Sequence, residues 1–178
     1  DLTPTGSQFS LFYNYFFPNV EDLTPANPLP VVQTKLDTLP DNTWVWLGHS
    51  SYLMHIEGKK LLIDPVFHSA SPFSFMVKPF DYEYTYSEKD MPQRIDLLVL
   101  THDHWDHLDY KTMKALKDSV QQVVCPLGVG SHLEYWGFAP EKITELDWQN
   151  ITRVGEMTLT CLPARHFSGR GLTRAKTL

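Results

Sequence analysis

Cysteine is scarce. Cys125 and Cys161 are the only two in 178 residues, too few for a disulfide scaffold, and they leave the redox compartment open. Long apolar runs are missing as well: no stretch approaches the roughly 18 uncharged apolar residues of a spanning helix, which excludes integral insertion by that route. Positive charge is in deficit, with 15 Lys and Arg against 21 Asp and Glu and a formal net charge of −6. A general nucleic-acid binder shows the opposite balance, so no nucleic-acid partner is expected. The deficit is uneven. No acidic residue follows Glu156, whereas Arg165, Arg170, Arg174 and Lys176 crowd the C-terminal end. Repeats and low-complexity tracts are absent. Composition is otherwise that of an ordinary globular protein, 42% hydrophobic and 20% charged, at a length that buries one sizeable core. An initiator methionine and a basic-then-apolar leader are also lacking at Asp1. The expectation is a processed or partial product, cytoplasmic or peripherally membrane-associated.

Residues 1–42 read as an extended arm, with prolines at 4, 18, 25, 28, 30 and 40 and no sustained periodicity. Its aromatic run, Phe9 to Phe17, serves either to pin the arm to the core or to contact lipid or a partner. From Thr43 the pattern becomes that of short strands: Thr43–Gly48, then Ser51–Glu57, a turn at Glu57-Gly58-Lys59, and a partner strand Lys60–Ile63. A long loop from Pro65 to Pro92 has the length of a lid or binding wall. Asp96–Leu100 is continuously apolar after its first residue, as a strand covered on both faces should be. Asp109 is a natural N-cap for a helix over Tyr110–Lys117, with Met113 and Leu116 as its apolar face. A strand at Gln122–Cys125, a helix at Val129–Trp136 and strands at Lys142–Leu146 and Glu156–Leu162 complete an α/β arrangement.

Chemistry concentrates in Thr101-His102-Asp103-His104-Trp105-Asp106-His107, just past the buried strand. In extended chain His102, His104 and Asp106 fall on one side, and His107 joins them if the backbone turns toward the helix behind Asp109. Three imidazoles and a carboxylate suit zinc, or another borderline divalent ion such as iron, manganese or cobalt.

His-x-His-x-Asp-His after an apolar strand resembles the signature of the metallo-β-lactamase superfamily. Trp46-Leu47-Gly48-His49-Ser50-Ser51, Leu62-Ile63-Asp64-Pro65, Cys125-Pro126-Leu127-Gly128 and Glu145-Leu146-Asp147-Trp148 are similar to one branch of it. That branch holds the N-acyl-phosphatidylethanolamine-hydrolysing phospholipase D enzymes and their bacterial relatives. The resemblance runs from about Trp44 to the end. It implies an αββα sandwich whose first half is residues 43–178, carrying two zinc ions in the complete protein, with iron or manganese as alternatives. His102, His104 and His166 would hold the first ion, and Asp106 and His107, the residues expected to act in catalysis, the second. Asp64 would orient ligands from behind, while His49 is either a lid or supporting residue or a plain structural one. Asp103 and Trp105 carry no assigned role, and His55, His68 and His132 read as ordinary strand, loop and surface residues.

The resemblance also requires a bridging aspartate in a Gly-Asp-Thr-like segment and a last histidine, both well after the third. No Gly-Asp occurs in this sequence, which ends at Leu178. The expectation is therefore the front half of a hydrolase domain, completed by a C-terminal half, as a second chain if need be. The implied activity is metal-dependent phosphodiester hydrolysis of a phospholipid-like or other small anionic substrate, with peripheral membrane contact. A lactonase or other ester hydrolase, or a catalytically incomplete fragment, are the alternatives. The C-terminal arginines and lysine would either meet an anionic head group or form a solvated loop.

Overall fold

Residues 24–71 and 80–170, with the isolated positions 7, 9, 10, 13, 14 and 17, are described by a computed structural model. Part of the aromatic run, part of the Pro65–Pro92 loop, Arg174 and Lys176 lie outside these residues.

Alternating side chains divide the first strands between two faces, and the strand register extends that division across the sheet. Strands β1 (Thr43–Gly48), β2 (Ser51–Ile56) and β3 (Lys59–Ile63) form an antiparallel meander. Strands β4 (Ile95–Val99), β5 (Val120–Pro126) and β6 (Ile143–Leu146) then add in parallel, giving one six-stranded sheet in chain order. Parallel neighbours need crossovers. Helix α1 (Tyr110–Leu116) supplies the one between β4 and β5, and α2 (Val129–Tyr135) the one between β5 and β6.

Val45, Leu53, Leu62, Leu98 and Val123 stand opposite one another across five strands. They belong to the main core, together with Leu108, Met113, Leu116 and Leu133 from the crossover segments. The other face carries Leu61, Leu97 and Val124, covered by a separate hairpin of β7 (Ile151–Val154) and β8 (Met157–Thr160) through Val154, Met157 and Leu159. The hairpin does not reach the β1 edge, where Trp44 is 61% and Trp46 47% exposed.

This is the mixed α/β architecture expected. Sequence boundaries shift by a residue or two, as with Tyr110–Leu116 for the helix foreseen over Tyr110–Lys117. Strand β7 was not foreseen: its four residues include Arg153, two are exposed, and it is a strand because β8 pairs with it. Among the described residues no helix is long and apolar enough to cross a membrane.

Candidate metal centre

The histidine segment leaves the sheet where β4 ends, between strands whose last residues are tied together. Asp64 donates its N–H to the Val99 carbonyl, and Leu100 donates to Val124, so the loops after β3, β4 and β5 start from a common edge. The chain then turns. The N–H groups of His107 and Leu108 both donate to the His104 carbonyl, and buried Leu108 anchors the turn in the core. Asp109 closes it by accepting from the N–H groups of Lys111 and Thr112 at the start of α1.

That turn corrects the one-sided row expected from extended chain. Asp106 does not share a position with His102 and His104; it comes together with His107 and His49. His166 arrives from the segment after β8, so that one ligand atom each of His102, His104 and His166 lie within 4.8 Å of one another. A second group of the same tightness is His49, Asp106 and His107, and a third overlapping one is Asp64, His102 and His107. The rings are in contact: His102 lies 4.0 Å from His107 and 4.6 Å from both His104 and His166, centroid to centroid.

Asp64 organises the cluster from beneath. It is only 2% exposed, and its backbone takes the left-handed conformation at φ 41°. Its Oδ1 accepts the Thr101 N–H at 2.8 Å; its Oδ2 accepts the Thr101 hydroxyl at 2.6 Å and His107 Nδ1–H at 2.9 Å. With its proton committed to Asp64, the Thr101 hydroxyl accepts from His102 Nδ1 at 2.9 Å. Both imidazoles are thereby held as the tautomer whose Nε2 lone pair is free for an ion.

Electrostatics follow from this packing. Burial pushes His102 down to about 4, with the neighbouring His107, His104 and His166 acting in the same sense. Burial also lowers His166, again helped by His104 and His107. For His107 burial pulls down too, but the hydrogen bond and charge of Asp64, joined by the charge of Asp106, outweigh it and raise the imidazole above its ordinary value. For Asp106 burial is outweighed by its own backbone N–H, the hydrogen bond from His49, and the charges of His107 and His49, which hold the carboxyl low.

The donor set fits a divalent ion. Neutral imidazoles and an ionised carboxylate are the protonation states that metal binding requires. His104 Nε2 is buried with no hydrogen-bond partner among the described residues, an arrangement that is costly for a ring nitrogen in a purely structural cluster.

His49 proves to be at the site. Its Nε2–H donates to Asp106 Oδ2 at 2.9 Å, while the Trp46 indole N–H holds its carbonyl at 2.8 Å across a turn with φ 45°. A cavity of about 720 Å³ opens beside His102 and His166, walled by Leu127, Trp148, Leu162 and Phe167 among others. His132 lines it, stacked on Trp136, rather than standing on open surface. Arg170 is not part of a solvated loop, because its guanidinium donates to the carbonyls of Asp103 and Leu108 and lies 4.4 Å over the Trp105 ring. The contacts that join Asp103, Trp105 and Arg170 escaped the sequence reading. Nothing in local pattern announces contacts between positions more than 60 residues apart.

Comparison with known proteins shows the family. The family model described as the β-lactamase superfamily domain matches residues 59–178, more than half of the chain. An uncharacterized protein of Mycobacterium tuberculosis is 38% identical over 157 residues, covering 86% of this chain and 42% of its own length. N-acyl-phosphatidylethanolamine-hydrolyzing phospholipase D 1 of Caenorhabditis elegans is 33% identical over 138 residues, 72% of this chain and 38% of its own. Among solved structures, CmlA, a diiron β-hydroxylase from Streptomyces venezuelae, is similar at 27% identity and TM-score 0.57, over 74% of this chain and 26% of that one. The chain thus spans less than half the length of these relatives.

Proposed function

Because this chain belongs to the β-lactamase superfamily, we propose that its histidine–aspartate cluster is the metal-holding part of a hydrolase that cleaves phosphodiesters of lipid-like substrates. The observation that carries the reading is the convergence of His102, His104 and His166 beside a second group of His49, Asp106 and His107. When bound there, a pair of divalent ions supplies Lewis acidity, lowering the pKa of water and drawing negative charge from phosphoryl oxygens. His102, His104 and His166 would hold the first ion and Asp106 with His107 the second. Zinc suits this nitrogen-rich set. Asp64 holds His107 and, through Thr101, His102 in the ligating tautomer.

The adjoining cavity supports the substrate class. Leu127, Trp148, Leu162 and Phe167 offer an apolar wall for a chain whose phosphodiester lies at His102 and His166. The name of the Caenorhabditis elegans relative points the same way. A second reading, oxidation at a pair of iron ions, is favoured by the likeness to the diiron β-hydroxylase.

The full-length natural protein, loaded separately with zinc, manganese or iron, tests the choice. We expect hydrolysis of a phosphatidylethanolamine-type phosphodiester, abolished by His104→Ala. Turnover of lactones alone moves the assignment to ester hydrolysis, and oxygen-dependent turnover with iron alone moves it to hydroxylation.

A further inference from the structure

The segment that delivers His166 has no helix or strand of its own between β8 and residue 170, yet its imidazole stands 4.4 Å from His104, ring to ring. Something must hold it there, because ordering irregular backbone costs conformational entropy. The hold is concentrated on one residue. Asp103 lies between His102 and His104, and both its carboxylate oxygens are engaged: Oδ2 accepts the Ser168 hydroxyl and Oδ1 accepts the Gly169 N–H at 3.1 Å. Its carbonyl accepts Arg170 Nε–H at 2.7 Å. Arg170 completes the closure by donating to the Leu108 carbonyl and lying between the Trp105 and Trp136 rings, at 4.4 and 5.4 Å. The fit admits no side chain at 169, where a Cβ would stand 2.9 Å from His104 Nε2.

We propose that Asp103 is a positioning residue for the first metal position: it latches residues 168–170 onto the 102–107 turn and so fixes His166 against His102 and His104. The proposal rests on the reading of these three histidines as metal ligands. Asp103 is in none of the groups whose ligand atoms converge. Its carboxylate sets where the third ligand sits, as supporting hydrogen bonds commonly do for metal ligands.

The test uses the full-length natural protein and its Asp103→Ala, Asp103→Asn, Ser168→Ala and His166→Ala variants. Zinc affinity is measured by competition with a chelator, the cobalt form by its ligand-field absorption, and the metal-free form by thermal unfolding. Asp103→Ala is expected to weaken the first ion about 10- to 100-fold and to alter the cobalt spectrum. Asp103→Asn, which keeps one acceptor, and Ser168→Ala, which removes one donor, should fall between it and wild type. The second ion and the metal-free unfolding temperature should not move. If His166→Ala loses the first ion while Asp103→Ala keeps it, the latch is wrong and the metal reading stands. If His166→Ala also keeps it, the metal reading itself fails. A loss of both ions together with a fall in metal-free stability makes Asp103 a structural residue and overturns the proposal.

Discussion

Single residues decide which proton leaves and which stays in this cluster. His107 and His102 lie 4.0 Å apart, centroid to centroid, yet they are driven in opposite directions: burial and the neighbouring imidazoles lower His102, whereas at His107 the direct hydrogen bond and charge of Asp64, with the charge of Asp106, outweigh burial. The sign of the pH effect follows. His107, raised above its ordinary value, takes up a proton early as pH falls, whereas burial keeps His102 neutral until about 4 and also lowers His166. The ion at the Asp106–His107 position should therefore leave first on acidification, and the ion at His102, His104 and His166 later. Elemental analysis after dialysis at a series of pH values reads this as two steps; simultaneous release would contradict it. Asp64→Ala should weaken metal binding by about 10- to 100-fold, since it removes the acceptor that orients both rings, while His68→Ala, whose ring pairs with Glu88 at 3.5 Å, should not. A chelator titration of the two variants separates them.

Elements carry these residues only as well as their ends are fixed. Helix α1 begins directly behind the ligand turn, and Asp109 is 5% exposed while serving four donors: the N–H groups of Lys111, Thr112 and His68, and the Thr112 hydroxyl. An N-cap alone contributes about 1 kcal/mol, and orphaning a buried donor costs about 1–3 kcal/mol. Asp109→Ala should therefore lower stability by about 2–3 kcal/mol, measured by urea denaturation of the metal-free protein. Leu98→Ala, at a fully buried position in β4, should cost about 2–5 kcal/mol by leaving a cavity under the same strand end. The element that escaped the sequence reading, β7, fails for a related reason. Its pattern of exposed, half-buried, exposed and buried residues follows from packing against β8 and Leu97, not from its own composition.

At the scale of the whole molecule, the two faces of the sheet are unequally covered. One is filled by the crossover helices; on the other, the β7–β8 hairpin stops short of Trp44 and Trp46. An exposed pair of indoles on an edge strand invites apolar cover, at roughly 25 cal/mol per Å² buried. We expect further chain of the natural protein to lie there, consistent with relatives more than twice as long as the part matched. In the full-length natural protein Trp44 and Trp46 should then be shielded from acrylamide quenching of their fluorescence, judged by Trp44→Phe and Trp46→Phe variants. Ready quenching of both would leave that face open.

Local sequence determined a good deal of this protein. The apolar run at Asp96–Leu100 wrote a buried strand, Asp109 wrote a helix start, and the spacing of His102, His104, Asp106 and His107 wrote a histidine–aspartate cluster, because each depends on neighbours within a few residues. Tertiary structure alone decided how the cluster divides. The turn closed on the His104 carbonyl swings Asp106 and His107 toward His49, which lies 57 residues earlier than Asp106, and Asp103 draws in Ser168 from 65 residues later. It also turned Arg170 from an apparent surface cation into an internal clamp. Such contacts join segments that meet only when the ends of β1, β3, β4 and β8 are gathered at one edge, and no local periodicity records which of them will meet.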